Sequence, residues 1–227
     1  MLEIEYIFHF ESGTEERFGF CFDAQSMEPA PAGLKDMPEW TRLDFHQCPH
    51  CPLTVGTHAQ CPPAAQLSEV FPRLGALPSY ETTLLEVITE ERTITQKTTL
   101  QNAMRSLIGL IMGTSDCPYM KCFRPMARFH LPLSSEIETI FRATSTHLLS
   151  EYFNKINSKR HDFSMDGLVT SYQNVQTVNI SFAARMRASG VINETNAISQ
   201  LYTQSEDVPL SIKESLRELS PLFEVSQ

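Results

Sequence analysis

The chain has 227 residues and a formal net charge of −9, from 18 basic and 27 acidic side chains. This length is enough to bury a core without disulfides. The negative charge repels a phosphate backbone and an anionic membrane surface, so we expect neither a nucleic-acid nor a membrane partner.

The N-terminal sequence MLEIEYIFHFESG carries acidic residues where a secretion signal needs basic ones. The longest apolar run, near residues 107–112, is far below the roughly 18 residues that a membrane span requires. We therefore expect a cytoplasmic protein. Thiols stay reduced in the cytoplasm, so the six cysteines indicate a metal or catalysis rather than disulfides.

Two hairpins are predicted in the first hundred residues. Apolar residues alternate in LEIEYIFHF and RFGFCFD on either side of the turn ESGTEE, which is typical of an antiparallel hairpin. The segment TLLEVITEERTITQKTT is rich in β-branched residues and predicts two further strands. Cys21 has no candidate co-ligand nearby, and we interpret it as a structural thiol.

From Thr99 onward the apolar residues follow a helical period. The first helix ends in GTSDCP, and a capping box of Ser135 and Glu138 begins the second. A third is predicted over residues 165–188, before Gly190, with an apolar stripe of Leu168, Tyr172, Val175, Phe182 and Met186. Two shorter helices are predicted over residues 193–202 and from a Ser211–Glu214 capping box to Phe223.

Strands followed by helices predict an α+β fold. We expect a single domain, residues 1–227, in which antiparallel hairpins form a small sheet packed against a C-terminal layer of about five helices. Residues 1–98 are predicted to be mainly β with a cysteine-rich metal-binding loop at residues 45–63, and residues 99–227 mainly α.

The most informative segment is FHQCPHCPLTVGTHAQCP, residues 45–62. Its CPHC core suits a redox dithiol only if a helix follows the first cysteine. Prolines, a glycine and β-branched residues after Cys51 leave little room for one. A CPxC turn is also a common metal knuckle, which is the interpretation that we prefer.

Four cysteines share one local feature, a proline directly after them: Cys48, Cys51, Cys61 and Cys117. Four thiolates match the closed tetrahedral ligand set of structural zinc. An iron–sulfur cluster takes the same ligands, although the spacing matches neither ferredoxin pattern. Two alternatives stay open. In one, a substitute ligand replaces a cysteine, and the candidates are Cys122, His46, His50 and His58. In the other, the four thiols are reduced and hold no metal.

His130 lies in the polar segment RPMARFHLPLSSEIETIFR. It is a candidate general base or alternative metal ligand. A histidine in a proline-flanked loop more often bonds backbone groups, and neither a nucleophile motif nor HExxH is present. We therefore predict no catalytic residue and lean against an enzyme.

Several segments together resemble a family of uncharacterised bacterial proteins, a domain of unknown function. They are MPEWTRL, CPHCPL, HAQCPPA, ERT, QNAMRSLIGLIMGTSDCP, PMARFHLP and ETIFRATSTHLLSEYF. The similarity runs from the opening hairpin to about Phe182. It implies that the cysteines matching Cys48, Cys51, Cys61 and Cys117 recur as one set, without Cys122, and it implies no reaction.

The sequence thus predicts a cytoplasmic binding or scaffold protein, with an unidentified protein partner. A structural zinc site pins the loop after Trp40 to the end of the helix that begins at Leu100. The alternatives are an iron–sulfur redox or sensor protein that uses the same cysteines, and a metal-dependent enzyme that uses His130.

Overall fold

The computed structural model describes residues 1–30, 36–190 and 216–223. Its strands are β1 (Leu2–Phe10), β2 (Glu15–Phe22), β3 (Thr82–Thr89) and β4 (Thr93–Thr99). They form one antiparallel sheet in the order β2-β1-β3-β4. Both predicted hairpins are confirmed, and the pairing of β1 with β3 joins them.

One face of the sheet forms the core, and the other carries mainly polar residues together with the buried Ile7. Ile4, Tyr6 and Phe8 of β1 are at most 1% exposed, because alternate residues of a strand share a face. On the opposite face, His9 lies 2.9 Å from a Glu15 carboxylate oxygen and 3.2 Å from one of Glu86. Such a one-sided sheet needs a helical layer on its apolar face only.

The helices are α1 (Pro62–Leu67), α2 (Val70–Leu74), α3 (Leu100–Thr114), α4 (Arg124–Arg128), α5 (Glu136–Ile156) and α6 (Asp166–Ser189). The predicted α+β class and its three long helices are confirmed. A further helical turn covers residues 216–219. The helix predicted at residues 193–202 and the start of the last one lie outside the described residues. Within the described residues, none of the helices is long and apolar enough to cross a membrane.

Helix α3 lies in the centre of the core. The Thr99 hydroxyl caps it by accepting from the Asn102 N–H at 3.3 Å. Its buried residues include Leu100, Leu107 and Ile111. At its end the buried Ser115 hydroxyl donates to the Met112 carbonyl at 2.6 Å, which satisfies a helix-terminal carbonyl where the chain turns towards Cys117.

Helices α5 and α6 differ in how fully they are buried. The predicted capping box of α5 is present, but Leu149 and Tyr152 in its second half are 54% and 50% exposed. Helix α6 buries every residue of its predicted apolar stripe and ends at Gly190, whose φ of +64° suits glycine.

The short helices α1 and α2 were not predicted. Their segment contains Pro62, Pro63 and Pro72, which mask a helical period although the first turn of a helix tolerates proline. They bury Leu67 and Phe71 in the main core. The first part of the chain is therefore less purely β than predicted, and the predicted loop 45–63 ends at Cys61.

Candidate metal centre

The four proline-flanked cysteines line one small cavity. Cys48, Cys51, Cys61 and Cys117 surround it together with the guanidinium-bearing Arg185. Its volume is about 20 Å³, close to the space that one water molecule needs. The cavity therefore has room for a single ion, and it is small for a cluster of several iron and sulfur atoms.

Local backbone contacts bring the cysteines to the cavity. The Cys51 N–H donates to the Cys48 carbonyl at 3.0 Å, which closes the CPHC turn. The Cys61 N–H donates to the Thr41 carbonyl at 2.8 Å, so the loop returns beside its own start. Cys117 comes from a different part of the chain, and the Met120 N–H closes a turn on its carbonyl at 3.0 Å.

The thiols influence one another electrostatically. Burial raises the pKa of Cys48 and Cys61, and it raises that of Cys117 to about 12. The remaining cysteines add to this: Cys61 and Cys51 raise the pKa of Cys48, and Cys61 and Cys48 raise that of Cys117. Several thiolates in this cavity are therefore unfavourable unless a cation compensates them.

Neighbouring polar groups oppose the effect of burial at three of the four thiols. The backbone at Ala64 lowers the pKa of Cys61, the backbone at Tyr119 and Met120 lowers that of Cys117, and Ser181 lowers that of Cys48. Donors around a sulfur stabilise its ionised form, which is the form that ligates a metal.

Arg185 of α6 is the main residue that the sequence analysis missed. It is 2% exposed and donates to the carbonyls of Trp40 and Arg42, each at 2.6 Å. Its charge lowers the pKa of Cys48 and Cys61. An arginine at helical spacing from Phe182 on an otherwise apolar stripe was the signal that could have identified it.

A stacked ring pair joins the two halves of the site. The His50 and Tyr119 rings lie 4.0 Å apart at 10°, and the Tyr119 hydroxyl donates to the His50 carbonyl at 2.7 Å. The His50 Nε2 donates to the Asn174 carbonyl of α6 at 3.2 Å. His50 is thus engaged in positioning contacts and is not among the residues that line the cavity.

The other candidate ligands are spread over the molecule. His46 lines the cysteine cavity, whereas His58 bonds the Thr57 hydroxyl at 2.9 Å in an exposed turn. Cys122 lines a separate cavity with residues of α5 and α6. His130 lines a third cavity. Among the described alternatives, His46 alone shares a cavity with the four cysteines.

The cysteine side chains line the cavity, but they are not arranged as the ligands of one metal ion. Among the described residues, no group of three or more His, Cys, Asp or Glu side chains has the arrangement of a metal site. Binding an ion would require the thiol groups to rotate towards one point. The cysteine-rich metal-binding loop therefore stays a prediction.

The ring pair generates a test of how the site is held together. Tyr119→Leu removes both the stacking and the hydroxyl bond, and we expect it to lower the free energy of unfolding by about 1–3 kcal/mol. Tyr119→Phe keeps the stacking and should cost about 1 kcal/mol. Denaturant unfolding of the full chain measures both values.

Tyr80→Leu is the matched control, because Tyr80 is 80% exposed and its loss should change stability by no more than about 0.5 kcal/mol. Equal effects of Tyr119→Leu and Tyr80→Leu would contradict the role given to the ring pair.

Comparison with known proteins identifies the family. Neither the curated proteins nor the solved structures give a significant match. A family model described as a domain of unknown function (DUF6901) matches residues 4–224. The chain therefore belongs to the DUF6901 family, a domain of unknown function.

Proposed function

We propose that Cys48, Cys51, Cys61 and Cys117 bind one zinc ion that clamps the cysteine loop to the end of α3 in a binding or scaffold protein. The observation that carries this proposal is that all four residues line one cavity, although Cys117 is distant from the others in sequence.

The choice of zinc rests on the size and chemistry of the cavity. A volume of about 20 Å³ matches a single ion, and four thiolates saturate a tetrahedral zinc ion. A saturated ion has no position for a water molecule or a substrate. The proposed role of the metal is therefore structural, and catalysis at this site is not part of the proposal.

The clamp would act where regular structure is scarce. Residues 42–61 contain no helix, and the strand-like bridge between Arg42 and Gln60 is isolated. An ion shared with Cys117 would cross-link this loop to the segment after α3. Structural zinc contributes on the order of 10 kcal/mol in small zinc-dependent domains, enough to determine whether the loop is ordered.

A mixed site is the second candidate, and His46 is the observation that favours it. His46 lines the same cavity, so it could replace one cysteine as a ligand. Such a site, or an iron–sulfur cluster on the same cysteines, is the route to a redox, sensor or metal-dependent enzyme function. His130 lines another cavity and has no part in this alternative.

Location and partners belong to the same proposal. All six cysteines are free thiols, as expected in a reducing cytoplasm. The net charge of −9 opposes binding to nucleic acid or to an anionic membrane. We therefore retain a cytoplasmic protein with a protein partner as the proposal.

Serine substitutions test the ligand set. Cys48→Ser, Cys51→Ser, Cys61→Ser and Cys117→Ser should each lose the zinc and lower the melting temperature, because bound metal adds its binding free energy to stability. Elemental analysis and thermal unfolding of protein purified without oxygen measure the two effects. The unchanged protein should be colourless and hold about one zinc per chain.

Cys21→Ser and Cys122→Ser are the matched controls, since neither residue lines the cysteine cavity, and both should keep the zinc. Loss of metal in Cys122→Ser but not in Cys61→Ser would refute the ligand assignment. A brown protein with equal iron and sulfide would replace zinc by a cluster, and a metal-free protein would refute the proposal itself.

Proton release provides an independent test. Burial raises the pKa of Cys48, Cys61 and Cys117, so these thiols are protonated at pH 7 and must lose their protons to bind zinc. Zinc added to the metal-free, reduced protein should therefore release about four protons. Calorimetry in two buffers of different ionisation enthalpy counts them.

The number of protons released also distinguishes the four-cysteine site from the mixed site with His46. A neutral histidine ligand releases no proton, so a site with His46 in place of a cysteine would release about three. A His46→Gln variant is the control and should leave the count at about four. Release of two protons or fewer would contradict a site made of thiolates.

A further inference from the structure

A larger cavity lies between α3, α4, α6 and the loop before α5. Its volume is about 220 Å³, and it is lined mainly by apolar side chains, among them Leu110, Met112, Met120, Phe123, Met126 and Val175. An apolar cavity of about 150 Å³ is enough to bind benzene. No cysteine is among its described lining residues, so it is separate from the proposed zinc site.

The lining of this cavity includes positive charge. Arg105 of α3 lines it, and burial lowers the pKa of this arginine. Within the described residues, no acidic side chain forms an ion pair with Arg105. By contrast, Arg128, outside the cavity, lies 3.7 Å from a Glu91 carboxylate oxygen. A partly buried guanidinium without a carboxylate favours an anionic ligand.

Arg142 adds a second guanidinium at the same cavity. It donates to the carbonyls of Met126 and Phe129, at 2.5 and 2.9 Å. Burial lowers the pKa of Arg142, and Tyr172 and Glu138 oppose this shift. Within the described residues, no carboxylate forms an ion pair with Arg142. The carbonyl bonds fix the guanidinium, and Glu138 compensates its charge only in part.

The polar groups around Ser106 and His130, which both line the cavity, are neutral. The Tyr6 hydroxyl lies 3.0 Å from the Ser106 hydroxyl and 2.5 Å from the His130 Nε2, and the Leu133 N–H donates to Ser106 at 3.2 Å. Burial and Arg142 lower the pKa of His130 to about 3, so it is uncharged at neutral pH. The network holds the His130 ring in place and adds no negative charge.

We propose that this cavity binds a small organic monocarboxylate whose apolar body is about the size of one aromatic ring. The carboxylate pairs with Arg105, and the apolar body contacts the methionines and Phe123. An inorganic anion would leave the apolar wall unfilled, and a neutral hydrocarbon would leave Arg105 without a partner. Both features of the cavity therefore select for a molecule that combines a charge with an apolar group.

The experiment titrates the purified full chain, as isolated, with benzoate and with its neutral analogue benzamide. Benzoate should bind with a dissociation constant of about 1 mM or below, and benzamide should bind at least about tenfold more weakly because it cannot form the charged bond. Calorimetry or ligand-observed NMR measures both constants.

Two variants locate the binding site. Arg105→Gln should weaken benzoate binding at least about tenfold, whereas Arg128→Gln is the matched control and should leave it unchanged. Gly109 lines the cavity and has open space around a Cβ atom built there. Gly109 is exposed, so Gly109→Leu should obstruct the cavity from its open side and weaken binding while the helix stays folded.

The outcome is independent of the zinc proposal, because the metal content of every variant is measured in parallel and should stay at that of the unchanged protein. Absence of benzoate binding in the millimolar range would overturn the inference. So would equal binding of benzoate and benzamide, or full binding by Arg105→Gln or Gly109→Leu.

Discussion

The order of the cysteine loop depends on one buried cation, Arg185. A loop without regular structure can pack against a core only if its carbonyls find donors, and this guanidinium donates to those of Trp40, Arg42 and Leu43. The planar fork of an arginine bonds several carbonyls at once, which a lysine ammonium cannot do with the same geometry. The same charge lies close enough to Cys48 and Cys61 to lower their pKa. One side chain thus fixes the loop and favours the ionised form of two thiols.

The two candidate sites share helices α3 and α6. Cys117 follows the end of α3, and Arg105 lies within that helix, near its start. Met120 connects the sites directly, because its N–H donates to the Cys117 carbonyl while the residue lines the larger cavity. Helix α6 provides Arg185 at the cysteines and Val175 at the larger cavity. Both sites therefore depend on a well-ordered conformation of the segment that follows α3.

The sequence predicted the elements whose patterns are local. Alternation in β1 and β2, the capping box of Ser135 and the stripe of α6 depend on neighbouring residues and were confirmed. The pairing of β1 with β3, the proline-rich α1 and α2, and Arg185 depend on contacts between distant segments, which no local pattern contains. The shared Cys-Pro pattern did lead to the four cysteines that line one cavity. The larger cavity was missed because α3, α6 and the intervening loop form it only when they pack together.

The central claim is that four thiolates saturate one zinc ion, and X-ray absorption at the zinc edge of the purified protein tests it most directly. The account predicts four sulfur neighbours at about 2.3 Å and no lighter ligand. A nitrogen or oxygen neighbour at about 2.0–2.1 Å would contradict a closed site of four cysteines, and so would a protein that contains no zinc.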